Sequence, residues 1–492
     1  MQLQFHKTVC PCLQQVKRQV QNQEQTQEVR LGDDMPDIGR VLGAWGQVLL
    51  RSKEWQNGSM SISGGVMAWA LYAPEDGGQV RWVDTWIPFQ MKWDIPDTQY
   101  DGVIRCQCLL RGIDARSTSA RRLMLRVSVG AMAEAMLPGE FAQYTPEEVP
   151  EDVALLKNTY PFCLPQEAGE KPFELEEILN LPPAAPKLGK LIRYELTPQI
   201  LDKKVMGSKV VFRGAANLHI VYLTEDGTVQ SWNFELPFSQ YGELEGDYDH
   251  DATAQIIPAV TGLEMDVDEE GNLHLKAGVT CQYVISDRNM VTVIEDAYSP
   301  KREVAVQTQT QQVPVILEQL TQTVHAQQQL DREVGRVADV AFYPDHPRMT
   351  QKEGGIEAEL PGQFSVLYYD GEGALQGATS RWEGSMSLSA GPEVQMDGLV
   401  FCNGKTQQDL QADIQMELTG SSRQGIPMVT ALELGAEIQP DPNRPSLILR
   451  KAGDEKLWDI AKRTGTTVEA IRDANKLTDE PEKHQTLLIP IS

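Results

Sequence analysis

The chain has 492 residues and a formal net charge of −26, which is too long for one hydrophobic core and enough for about three or four domains. An excess of carboxylates of this size repels nucleic acid and anionic membrane surfaces, so neither is an expected partner. Mean hydropathy is −0.35, and no apolar run reaches the roughly 18 residues of a membrane span, so membrane insertion is not expected either.

The N-terminus, "MQLQFHKTVCPCLQQVKRQ", lacks the apolar centre of a secretory signal, which predicts a protein that stays in the cytosol where it is made. Two of the cysteine pairs are C-x-C, Cys10/Cys12 and Cys106/Cys108. Zinc sites use C-x₂₋₄-C with a second pair or histidines close by. Neither pair has such company, so both read as reduced thiols. Cys106 and Cys108 fall in a strand-like run and are expected on one face as small core residues.

A Gln-rich stretch, "LQQVKRQVQNQEQTQEV" (13–29), leads to "DIGRV" (37–41) and then to a strand that ends in "ALYAPEDG" (70–77). The last segment recurs as "IVYLTEDG" (220–227) and "VLYYDGEG" (366–373). In each, a Tyr is followed five residues later by a Gly: Tyr72/Gly77, Tyr222/Gly227 and Tyr368/Gly373. The tyrosines are 150 and then 146 residues apart. Two and four residues before them stand Ala70 and Ala68, Ile220 and Leu218, Val366 and Phe364, all apolar. That alternation predicts a strand with one buried face, and the Gly supplies the positive φ of a hairpin turn. The returning strands share Trp82 and Trp232, Trp86 and Trp382, and a Pro-Phe exit in "WIPF" (86–89) and "ELPF" (235–238). "EVGRV" (333–337) matches "DIGRV" at the same distance from its Tyr, whereas the second copy has "KLGK" there and is expected to lack the element.

The second half of each copy is also strand-like. "GLEMDVDEEGNLHLKAGVTCQYVIS" (262–286) alternates, turns and alternates again. A second Gln-rich lead-in occupies 302–332, while the Pro- and Glu-rich 143–190 reads as a linker with one short helix. A period this long means tandem domains and not a solenoid. The predicted fold is mainly β: three tandem β-sandwich-like repeats with short helices, followed by a small α+β (βααβ) domain. The expected divisions are a first repeat with its lead-in at 1–142, the linker at 143–190, a second repeat at 191–301, a third with its lead-in at 302–440, and a C-terminal domain at 446–492.

No catalytic constellation stands out. "DYDHD" (247–251) and "DVDEEG" (266–271) begin like calcium loops, but Pro258 and Ala277 stand where each loop needs its final carboxylate. Both read as acidic hairpin turns. Phosphate-binding, dinucleotide and nucleophile-elbow motifs are absent, and the histidines are scattered without metal-ligand spacing. Neither an enzyme, a metal site nor a cofactor is predicted.

The hairpin "VVFRGAANLHIVYLTEDG" (210–227) followed by "NMVTVIEDAYSP" (289–300) resembles the SPOCS domain of spore-forming bacteria. The first and third copies resemble it more weakly, and the likeness covers most of 25–435.

Residues 446–492 hold eight Lys/Arg and eight Asp/Glu, so this tail is neutral and the rest carries the whole charge excess. A short strand leads to Gly453-Asp454. A helix follows with Leu457, Ile460 and Ala461 on one face and Gly465 at its C-cap. Thr466 and Glu469 have capping-box spacing and open a second helix with Val468, Ile471 and Ala474 inward. "TLLIPI" (486–491) closes as a strand. This tail resembles a LysM module, with Gly453-Asp454, Leu457-Trp458-Asp459-Ile460-Ala461, Asn475 and Leu488-Ile489-Pro490 carrying the motif. The resemblance implies binding of N-acetylglucosamine glycans through two loops, with Gly453, Asp454, Glu455, Lys456, Trp458, Asn475, His484 and Gln485 as candidate partner- or glycan-binding residues. Two departures fall in those loops: Glu455 and Lys456 stand where the family has one residue, and Lys483-His484-Gln485 replaces Pro-Gly-Gln. A fold kept with its loops altered suggests a new partner.

SPOCS repeats followed by a LysM module resemble the SipL-type family of spore coat morphogenetic proteins. That resemblance implies a non-enzymatic scaffold in the mother cell at the forespore surface. Its LysM module would bind stage IV sporulation protein A, an ATPase that polymerises around the forespore, alongside other coat proteins. The alternative is a peptidoglycan-binding protein of cortex or wall.

Overall fold

The computed structural model describes the chain apart from residues 1, 57, 97–101, 330–333, 392, 407–409, 440–444 and 492, and apart from the side chains of 289, 314 and 403–406. The expected boundaries at 1, 440 and 492 lie outside the described residues. Alternating apolar positions produce long antiparallel strands. The first unit contains β1 (Phe5–Arg30), β2 (Ile38–Gln56), β3 (Ser59–Pro74), β4 (Arg81–Asp94), β5 (Val103–Ser119) and β6 (Arg122–Pro146). They form two sheets, β2-β3-β4 and β1-β6-β5, which share a core that includes Trp45, Ile62, Phe89, Ile104 and Val127.

The second unit repeats the plan with β7 (Ala154–Leu179), β8 (Leu188–Thr224), β9 (Val229–Tyr248), β10 (Thr253–Val267) and β11 (Leu273–Tyr298), in sheets β8-β9 and β10-β11-β7. The third uses β12 (Arg302–Gln327), β13 (Arg336–Pro344), β14 (Arg348–Lys352), β15 (Gly355–Tyr369), β16 (Leu375–Leu388), β17 (Gln395–Thr406) and β18 (Gln411–Glu437). In every unit the lead-in strand pairs with the last strand: β1 with β6, β7 with β11, β12 with β18. Among the described residues the two short helices lie in the C-terminal module, between 457 and 475.

Residues 143–190 are therefore not a linker with a short helix. Residues 154–179 are β7, hydrogen-bonded to β11 along its whole length. Its prolines are tolerated because β7 is at the edge of its sheet, where one side of the strand needs no N–H donor. The strand signal beneath the Pro/Glu-rich composition is the alternation Phe173, Leu175, Leu179, which packs on the second unit's core.

The repeat has a concrete physical basis. Gly77, Gly227 and Gly373 have φ of +76°, +86° and +83°, and each N–H closes its turn onto the carbonyl three residues back. Tyr72, Tyr222 and Tyr368 are buried core residues. Tyr72 and Tyr222 donate their hydroxyls to the carbonyls of Pro36 and Pro186, each 36 residues earlier, at 3.1 and 3.0 Å. Gly39, Gly189 and Gly335 each stand 33 residues before the Tyr. A Cβ on them would come within 2.9, 3.1 and 3.0 Å of the backbone leaving the hairpin strand. The second unit thus has the element it was expected to lack. The feature common to the three is the glycine, required by close approach, and not the Arg-Val that follows it.

The units share one junction. Segments 43–47, 193–197 and 339–343, each beginning 29 residues before its Tyr, converge. The Leu196 N–H donates to Gln47 at 2.9 Å, the Gly46 N–H to the Tyr343 hydroxyl at 3.4 Å, and that hydroxyl to Glu195 at 3.3 Å. Arg193 ion-pairs with Glu195 at 2.6 Å and with Asp339. Asp339 also meets His219 at 2.7 Å, and the Arg193 guanidinium lies 5.1 Å from the Trp45 ring centroid. Each pair of units is bridged, so the contacts close a ring. Side-chain amides reinforce it: Gln107 bonds the N–H and C=O of Val400, and Gln282 those of Cys106. The long strands add a second shared core in which Phe141, Phe162, Val291, Val315 and Ile426 meet. Cys106 is buried and Cys108 half-buried against the first unit's core.

Burial alone would raise the Asp339 carboxyl; Arg193 and His219 outweigh it and hold the group well below the usual carboxylate range. Its stabilising effect is fully present above its unfolded pKa of about 4 and is lost as pH falls toward the lower folded value. Asp339→Ala strands a buried guanidinium and is expected to remove about 3–5 kcal/mol at neutral pH. Urea denaturation should show all three units losing stability together, with the gap to the parent chain narrowing below about pH 4.

Candidate functional site

The C-terminal module is built from β19 (Leu447–Lys451), α1 (Leu457–Thr464), α2 (Val468–Asn475) and β20 (Thr486–Pro490), with β19 and β20 paired antiparallel. Leu457, Ile460, Ala461, Ile471, Leu487 and Ile489 form its core. Gly465 caps α1 in the left-handed conformation at φ 63°. The N-cap of α2 is Thr467, one residue later than the capping-box spacing indicates, and its side chain accepts from the Ala470 N–H. Thr466 is buried instead. Ala474, expected inward, is exposed. Asn475 takes the inward place because its amide can satisfy backbone there: it donates to Leu488 O at 2.6 Å and Ile471 O at 2.7 Å, and accepts from Leu488 N at 2.7 Å.

The candidate residues separate into three groups. Gly453, Asp454, Glu455 and Lys456 meet His484 and Gln485 at one end of the module. The Ala452 N–H donates to Gln485 O, and the His484 N–H to Ala452 O. Asp454 pairs with Lys483 at 2.9 Å across the two loops. Glu455 is held between Arg450 and Arg463, each at 2.7 Å. The hydrogen bond from Arg463, with the charges of Arg450 and Arg463, keeps its carboxyl below the usual range. Lys456 is the N-cap of α1 and offers no side-chain acceptor. Glu480 from the opposite loop fills that role, accepting from the Leu457 N–H at 2.8 Å.

Asn475 forms the second group, a fastening between α2 and β20. Trp458 is the third, and it faces away from the loops into the second unit. Its indole N–H donates to Asp296 at 2.8 Å, and its ring meets Tyr298 edge-on, with centroids 4.7 Å apart. Lys462 pairs with the same Asp296 at 2.7 Å. The Tyr298 hydroxyl donates to Thr466 O at 3.0 Å, and Tyr298 is part of the module's core. Burial, with Glu469 and Asp296 nearby, pushes that hydroxyl up to about 12, so it remains a donor. Asp296 and Tyr298 belong to "EDAYSP". The sequence marks this segment without indicating what it touches. Trp458 gives a signal of its own, since it is the large aromatic that falls off the apolar stripe of α1.

The acidic turn "DVDEEG" is a hairpin turn in which Asp268 accepts from Glu270 N–H, Asn272 N–H and His274. Among the described residues no group of three or more His, Cys, Asp or Glu side chains could hold a metal ion. No helix among them is long and apolar enough to cross a membrane.

Asp296→Ala removes the acceptor shared by Trp458 and Lys462. Amide hydrogen exchange across α1 is expected to accelerate about ten-fold or more while exchange in β8 and β9 stays unchanged. Asn475→Ala leaves the Leu488 backbone groups without partners and is expected to destabilise the module by about 1–3 kcal/mol, read as earlier thermal melting of its exchange-protected core.

Residues 187–268, which span β8, β9 and β10, match the family described as SipL, SPOCS domain. Residues 451–490 match the LysM domain. No curated protein and no solved structure matches the chain. Both matched families are non-catalytic binding domains. The chain therefore joins a SipL SPOCS domain to a C-terminal LysM domain, the domain content of a sporulation-related protein with a module of the peptidoglycan-binding type.

Proposed function

We propose that the chain is a non-enzymatic scaffold of the spore envelope. It acts in the mother cell at the forespore surface and binds a stage IV sporulation protein A-like ATPase through its LysM module, with other coat proteins as further partners. The observation that carries this reading is the condition of the LysM loops. Asp454 and Lys483, Glu455 and its two arginines, and Glu480 on the α1 N-terminus are paired with one another. Sugar hydroxyls would have to compete with ion pairs already made. A protein surface can instead read the fixed charge pattern as it stands, gaining specificity and association rate from it. The three-unit body supports the reading as well, because it presents several sheet edges, at β4, β9 and β16, for lateral association.

A second reading, binding to peptidoglycan of cortex or wall, is favoured by the LysM match itself. Two experiments separate them. Co-expression of the full chain with the ATPase should yield co-purification that is lost on deleting 446–492; no interaction with the intact chain sinks the scaffold reading. Sedimentation with purified peptidoglycan should leave the full chain in the supernatant, and pelleting of the chain would support the second reading.

A further inference from the structure

The Gln-rich lead-in strands have a destination that neither reading uses. Where they meet the last strands of the three units lies a cavity of about 340 Å³, within the range of small-molecule sites. Every unit contributes to it, among them Arg18 and Arg105 from the first, Val284 from the second, and Gln319, Asp397 and Arg423 from the third.

One wall is apolar, formed by Leu13, Met136 and Val284, which cluster together. The polar lining sets three arginines against two carboxylates, Glu134 and Asp397. Those carboxylates are already engaged: Arg105 holds Glu134 at 2.6 Å, and Arg18 holds Asp397 at 3.1 Å. Arg423 is exposed, so it stands where the cavity meets solvent, and it has no ion-pair partner among the described residues. Arg105 is 4% exposed and spends its Nη2 on Glu134 and Gln255, each at 2.6 Å, with its Nη1 closed off from the open space. The cavity therefore offers one unpaired guanidinium, that of Arg423, beside an apolar wall.

We propose that this three-unit cavity binds a small molecule carrying a carboxylate or phosphate group on a compact apolar body. Arg423 takes the oxyanion, and the Leu13–Met136–Val284 wall takes the body. The test is calorimetric titration of the full-length chain with benzoate, with inorganic phosphate, and with sodium chloride at matched ionic strength. Benzoate should bind saturably at one site per chain. Phosphate, lacking an apolar body, should bind about ten-fold more weakly or worse. Arg423→Ala removes an exposed side chain outside any ion pair among the described residues, so it should fold normally and weaken benzoate about ten-fold, with Arg423→Lys falling between. Absence of saturable heat with benzoate, phosphate binding as tight as benzoate, or unchanged affinity in Arg423→Ala would each overturn the proposal.

Discussion

The arrangement of the whole molecule depends on one buried charge. Arg193 belongs to the second unit, is 1% exposed along its side chain, and lies between Glu195 of its own strand, Asp339 of the third unit and the Trp45 ring of the first. A guanidinium out of water is tolerated only with its partners in place. Two of them, Asp339 and Trp45, come from the other units, so separating the units leaves Arg193 with Glu195 alone. This explains why three copies of one hairpin plan form a closed ring and not a flexible string. Equivalent segments meet at a common junction, much as three subunits of an oligomer would. The Gln107 and Gln282 side chains extend the same logic outward, each bonding an N–H and C=O in a neighbouring unit.

The C-terminal module is attached by a different chemistry. Its covalent connection follows β18 of the third unit, yet it docks on the end of β11 in the second. Asp296 serves both the Trp458 indole and the Lys462 amine, and Tyr298 reaches into the module's own core. One face of α1 is thereby consumed. The loops around Asp454 and His484 are left at a separate end, tied across the gap by the Asp454–Lys483 pair and by the backbone bonds of Ala452 with His484 and Gln485. A module held by one face and open at another presents its loops in a defined direction. The proposed contact with a polymerising partner benefits from that preorganisation, since less freedom is lost on association.

Much of the architecture was legible from residue patterns. Period-2 alternation before Tyr72, Tyr222 and Tyr368, with a Gly five residues on, identified three hairpins, because both signals are local: one reports a half-buried strand and the other a positive φ. The LysM helices were legible for the same reason, through Leu457, Ile460 and Ala461 on one stripe. β7 was hidden by its Pro and Glu content. Only its place at a sheet edge, beside the sequence-distant β11, makes that composition compatible with a strand. Asn475 and Ala474 exchanged roles because hydrogen bonding to Leu488, a tertiary contact, outweighed the small apolar gain from burying a methyl group.

By itself the sequence determined the three hairpins, their recurrence and the kind of module at the C-terminus, since these follow from spacing along the chain. Tertiary structure alone decided which side chains became partners. Arg193 found Asp339 across 146 residues, and Trp458 found Asp296 across 162. The sign of a charge or the presence of an aromatic ring is visible in a string of letters. The position at which folding places it depends on how sheets from distant segments come together, and no local pattern encodes that.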